Sequence, residues 1–192
     1  MAVIKVDNDK IDTSTFRPNV LDLGFEFDPE VLRAMMYPNV ENPSSFKFPG
    51  DRLLQLRGII PDSELRNPQE KDGNGDPCVV ALKRGRTTNL TTGRINNVDS
   101  FVRYYWNDGS SDISMELAAL GYDSKFKAFS EPGDSGAVVV DGKGGIAGII
   151  TGGSGLTTTF DVTYVTPVEF IYQQLLARGI KMNVNFNLEL AA

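Results

Sequence analysis

Apolar positions in the second half of this chain come in short β-prone runs, at residues 78–82, 93–106, 115–120, 137–140, 145–151 and 160–165, separated by glycine-rich turns. Runs of that length and spacing predict an all-β sandwich or barrel. A helical pattern follows. Thr166-Pro167-Val168-Glu169 combines an N-cap threonine, a proline at the first helical position and a glutamate at the third, which together predict a capping box. Phe170, Ile171, Leu175 and Leu176 then recur at helical spacing, and Gly179 stands where a C-terminal cap belongs.

The first half is patterned less regularly. Residues 2–6 (AVIKV) read as a short strand before a polar turn, and residues 53–60 (LLQLRGII) as another. Between them, residues 12–50 are loop-rich, with prolines at 18, 29, 38, 43 and 49. Asp28-Pro29-Glu30 predicts a short helix running to about Tyr37, because proline suits the first helical position and acids suit the first turn. Residues 61–76, with two prolines and two glycines among charges, read as a linker.

Composition narrows the function. The chain has 192 residues and 41% hydrophobic content, enough for a packed core. A net charge of −6 and the absence of a basic stripe exclude a nucleic-acid partner. No stretch approaches the roughly 20 apolar residues that cross a bilayer, and the N-terminus lacks the apolar segment of a secretory signal, so the expected setting is intracellular, with no membrane partner. The single cysteine, Cys78, reads as a buried small hydrophobe, with a reactive thiol as the alternative. With no histidine and no second cysteine, a zinc site of the usual nitrogen and sulfur ligands is excluded; no metal and no cofactor is expected.

The segment with chemistry in it is Gly133-Asp134-Ser135-Gly136, followed by Ala137-Val138-Val139-Val140. A nucleophilic serine needs its hydroxyl presented at a tight turn, with backbone N–H groups converging beside it. One such donor to a developing oxyanion is worth about 3–4 kcal/mol in a water-excluded site. Flanking glycines permit the turn, and the apolar run anchors it in a strand. The same four residues also make an ordinary β-turn.

Several segments, in order, resemble the second barrel of the trypsin-like serine proteases. Val80-Ala81-Leu82-Lys83-Arg84-Gly85-Arg86-Thr87-Thr88, then Leu90-Thr91-Thr92-Gly93, is similar to that barrel's opening hairpin. Phe129-Ser130-Glu131-Pro132 leads into the turn, Ile146 to Gly153 follows at the family's spacing, and Tyr164-Val165-Thr166-Pro167 enters a terminal helix. The resemblance covers roughly residues 76–178 and implies a six-stranded antiparallel β-barrel with a C-terminal helix, preceded by an incomplete first barrel. The organisation it implies is a first-barrel remnant and linker at 1–75, the barrel and helix at 76–180, and a tail at 181–192. It also implies Ser135 as the acyl-forming nucleophile and the Gly133 and Ser135 amides as the oxyanion hole. Thr151, Gly152 and Gly153 become the edge against which an extended peptide adds. Phe129, six residues before the serine, falls at the base of the specificity pocket, with an ordinary core aromatic as the alternative. Asp134 matches the aspartate that pairs with a newly released N-terminal amine in many family members; its alternative is a local turn hydrogen bond.

The chain contains no histidine. A serine hydroxyl relies on an adjacent base, and in a well-studied enzyme of this mechanism loss of the base costs about 10⁶ in turnover. No Ser-x-x-Lys signature lies near Ser135 to offer lysine instead. In the family the triad aspartate directly precedes a strand of the type Ala-Val-Ile-x-Val, so Ala2 to Val6 implies that histidine and aspartate belong upstream of Met1; an unrelated strand is the alternative. Two accounts follow, a truncated active protease or a natural remnant that kept the scaffold. Truncation would leave open β-edges and exposed core surface, which predicts a homodimer or a partner covering the gap. Three functions stay open: a serine endopeptidase relative, a pseudoprotease holding an extended peptide or protein, and an unrelated all-β interaction domain.

Overall fold

The computed structural model describes residues 7–10, 12, 14, 17, 19–41, 46–123, 128–155 and 161–181. The strand expected at residues 2–6 lies outside them. Eight strands and three α-helices run in the order β1 (Val20–Asp22), α1 (Pro29–Met35), β2 (Leu53–Gln55), α2 (Asp62–Arg66), β3 (Cys78–Gly85), β4 (Asn89–Tyr105), β5 (Ser111–Gly121), β6 (Val138–Asp141), β7 (Ile146–Ser154), β8 (Val162–Pro167) and α3 (Val168–Leu176).

Strands β3 to β8 close into one antiparallel barrel in the order β3-β4-β5-β8-β7-β6, with β6 returning to β3 through Ala81↔Asp141, Leu82↔Val140 and Lys83↔Val139. This closed six-stranded antiparallel barrel with its C-terminal helix matches the strand number and terminal helix expected for the second half. Its interior is filled by alternate residues, among them Val79, Ala81, Ile95, Leu117, Ala119, Val139 and Val165. The opposite face of β3 is buried too. Cys78, Val80 and Leu82 meet Leu21, Leu23, Leu32, Met36, Phe46, Leu54 and Leu56 from the N-terminal third, in a second cluster outside the barrel wall. Burial on both faces explains why β3 reads as a continuous apolar run rather than an alternating one. Burial also pushes the Cys78 thiol up to about 12, so the side chain behaves as the small hydrophobe expected of it.

Asp28 caps α1 by accepting the Glu30 amide at 2.9 Å, with Pro29 inside the first turn, as its sequence predicts. Four expectations need correction. Strand β2 stops at Gln55; Gly58 then turns at φ +75, and Ile59 bridges Ile146 of the barrel. The supposed linker at 61–76 contains α2, opened by Pro61 and anchored by the buried Leu65. The capping box at 166–169 does not form. Pro167 is still paired in β8 with Gly148, the Thr166 hydroxyl turns to Thr151 Oγ1 at 3.3 Å, and the Glu169 carboxylate accepts the Asp62 amide at 2.6 Å. Finally, α3 buries Val168, Ile171 and Leu175, whereas Phe170 and Leu176 face solvent. Among the described residues no helix is long and apolar enough to cross a membrane.

Candidate active site

The Ser135 turn lies between β5 and β6. Asp134 N–H donates to Glu131 O at 3.0 Å and Ala137 N–H to Asp134 O at 2.9 Å, which folds residues 131–137 into two consecutive turns. Gly133 at φ +108 and Gly136 at φ +91 adopt backbone conformations that favour glycine. A side chain at Gly133 would also place its Cβ 2.4 Å from Thr87 Oγ1. Beyond the turn, Gly136 N–H donates to Ile150 O at 2.8 Å and Ile150 N–H to Ala137 O at 3.0 Å, joining the turn to β7.

The pattern of engaged amides is informative. Those of Asp134, Gly136 and Ala137 donate within the turn or to β7, while those of Gly133 and Ser135 donate no hydrogen bond among the described residues. Ser135 is exposed, and its hydroxyl has no hydrogen-bond partner there either. Two alternate amides thus have no hydrogen-bond acceptor among the described residues, beside an accessible hydroxyl.

Beneath the serine, Asp134 is buried and accepts five hydrogen bonds. The Thr87 amide lies at 2.7 Å, the Thr88 hydroxyl at 2.6 Å and its amide at 3.3 Å, the Glu131 amide at 3.2 Å, and Lys83 Nζ at 3.0 Å. Burial alone would raise this carboxyl, but the Thr88 hydroxyl, the Thr87 amide, Lys83 and the Glu131 amide outweigh it and hold Asp134 well below the usual carboxylate range. Lys83 is fully buried, and burial lowers its ammonium against the opposing pull of Asp134. Its other contacts are the Thr88 hydroxyl and Asn89 O. Of the two roles expected for Asp134, the local turn bond to Glu131 is made, and the cation paired with it among the described residues is Lys83. That residue was not singled out from sequence, although the alternation Val79, Ala81, Lys83 puts it on the inward face of β3.

Thr151, Gly152 and Gly153 lie in β7 directly after the Ile150 bonds. One edge of this stretch pairs with β8, through Gly152↔Tyr164 and Gly153↔Thr163. On the other edge, pairing with β6 ends at Ile149↔Val138, and from Thr151 onward nothing among the described residues occupies it. Ser135 thus stands at the head of an open β-edge. Phe129 is not brought into this cleft. It is 1% exposed, packs in the barrel interior against Gly93 and accepts Thr91 Oγ1 at 2.7 Å through its carbonyl. The neighbouring Ser130 hydroxyl instead reaches Thr163 Oγ1 at 2.7 Å. Among the described residues no group of three or more acidic or cysteine side chains is placed to hold a metal ion.

No family model and no curated protein matches this sequence. The fold is similar to solved bacterial proteases. Cellulomonas bogoriensis chymotrypsin shares 24% identity over 69% of this chain and 57% of its own, at a TM-score of 0.45. Nocardiopsis protease shares 20% over 69% and 56%, at 0.42, and Thermobifida fusca protease A 19% over 68% and 56%, at 0.41. The chain spans less than two thirds of the length of each.

Proposed function

We propose that this chain is a trypsin-like serine endopeptidase homologue that retains the oxyanion-binding turn at Ser135 but does not hydrolyse peptide bonds on its own. The observation behind the reading is the turn itself, in which the Gly133 and Ser135 amides are free beside an exposed hydroxyl. In the complete mechanism Ser135 Oγ attacks a peptide carbonyl, a base takes its proton, and the two amides hold the resulting oxyanion. Here the base is missing. The sequence has no histidine, and Lys83 is buried and engaged with Asp134.

A second reading, a pseudoprotease that holds an extended peptide or protein, is favoured by the open edge at Thr151–Gly153. An added strand gains main-chain hydrogen bonds there without any chemistry. An intracellular setting goes with both readings, since the one cysteine is buried and outside any disulfide. Fluorophosphonate labelling and a panel of extended peptides separate the two, with Ser135→Ala as control. The first reading gives no adduct and no cleavage; the second adds saturable binding of extended peptides without a terminal carboxylate, which survives Ser135→Ala. Cleavage dependent on Ser135 would overturn the claim of inactivity.

A further inference from the structure

We infer that the β4–β5 hairpin is a self-association arm, whose exposed apolar face packs against the same face of a second copy of this chain. Pairing with β3 ends at Asn96, and pairing of β5 with β8 ends at Leu117. From Ser100↔Glu116 to Tyr105↔Ser111 the two strands therefore pair only with each other. A lone two-stranded ribbon is marginal in water.

Strand alternation makes this arm two-faced. The face carrying Ile95, Leu117 and Ala119 lines the barrel interior, and it continues outward as Phe101, Tyr105, Ile113 and Met115. Those four are 75%, 75%, 58% and 45% exposed. The core stripe thus runs out of the barrel with nothing among the described residues covering it. The other face leans on the body, with Glu116 buried and Tyr104 Oη 3.7 Å from where a Cβ on Gly152 would sit.

Charge and area select the occupant. The chain carries a net −6, but Asp112 and Glu116 lie on the body-side face and Asp99 is tied to Arg66. Besides Asp99, which shares this face but is tied to Arg66, the exposed face has one charge, Arg103, opposite Ile113. A twofold axis along the ribbon sets Phe101 over the second copy's Met115 and Arg103 over its Ile113, so no like charges meet, and sulfur–aromatic contacts form. Because a buried aromatic side chain covers about 150–250 Å², the four side chains offer roughly 500 Å² per copy, and two arms remove about 1,000 Å², the lower bound of a specific interface. Among the described residues no basic cluster flanks the face to hold an anionic lipid surface.

Sedimentation velocity on the full chain tests this without reference to catalysis. The expected result is a monomer–dimer equilibrium in the micromolar range, weakened at least about 30-fold by Phe101→Asp or Ile113→Asp, the loss typical of a central contact. It should be unchanged by Val40→Asp, an exposed apolar site elsewhere. Thermal melts matching wild type would show both arm variants folded. A chain that stays monomeric at about 200 µM, well above a micromolar constant, overturns the inference, whether or not it then sediments with phosphatidylcholine vesicles. So does a dimer that survives both arm variants or dissolves with Val40→Asp.

Discussion

Lys83 Nζ and Asp134 Oδ2 meet at 3.0 Å with neither side chain reached by solvent. Lys83 ends the inward series of β3, and Asp134 is the residue before the exposed serine, so the pair ties the serine turn to the barrel interior. Thr87 and Thr88, in the β3–β4 turn, complete the tie through their amides and the Thr88 hydroxyl. The turn is therefore held from below, leaving Ser135 and its free amides on top.

Removing one partner of this pair strands a buried charge. Lys83→Met should cost about 3–5 kcal/mol in urea unfolding, and Lys83→Met combined with Asp134→Asn should cost less than the sum of the single variants. A single-variant loss below about 1 kcal/mol, the value of an exposed pair, would mean the turn is held by something else.

The pH dependence follows from the same carboxyl. Asp134 titrates lower in the fold than in the unfolded chain, so the unfolded chain takes up protons first on acidification. Its stabilisation is complete above the ordinary carboxylate range, about pH 4, and is lost as the pH falls through and below that range. The urea midpoint should drop more steeply between pH 5 and about pH 2 in wild type than in Asp134→Asn, where this group no longer titrates. Parallel curves would contradict the assignment.

Gly85 provides a steric test. A Cβ there would sit 2.3 Å from Asp134 Oδ1, whereas one at Gly50 would meet nothing within 4 Å. Gly85→Ala should displace the carboxylate and lower the melting temperature by several degrees, as a loss of about 1–3 kcal/mol does in a domain of this size. Gly50→Ala should leave it within a degree or so. Equal melting temperatures for the two variants would count against the packing described.

Ser135 itself should be dispensable for folding. It is exposed and makes no hydrogen bond among the described residues, so Ser135→Ala should change stability by no more than about 0.5 kcal/mol. A larger loss in thermal unfolding would point to a structural serine instead of a presented one.

Much of this was legible in the sequence because the barrel is built from local patterns. The six apolar runs became the six barrel strands, and Gly179, at φ +73, closes α3 with its own amide on Leu176 O and that of Ile180 on Leu175 O. What failed depended on distant partners. The capping box lost because pairing to Gly148 keeps Pro167 in the sheet and Asp62 claims Glu169. Phe170 was placed on the buried face because helical spacing alone does not say which of two adjacent apolar residues meets β7 and β8. The pairing of Lys83 was not legible, since only closure of the barrel brings Asp134, 51 residues away, onto it. The Phe129 side chain went to the interior because Gly93 leaves room for its ring there.

The most direct test of the oxyanion cradle is a titration with an extended peptide ending in a free carboxylate, followed by amide NMR. On the proposed function, a carboxylate oxygen would accept from both the Gly133 and Ser135 amides while the peptide chain adds to β7. The proton resonances of Gly133 and Ser135 should therefore move downfield together with that of Gly153, and an amidated peptide should leave the first two unmoved. Unchanged Gly133 and Ser135 resonances at saturating carboxylate peptide, with Gly153 shifting, would show an open edge without an oxyanion site.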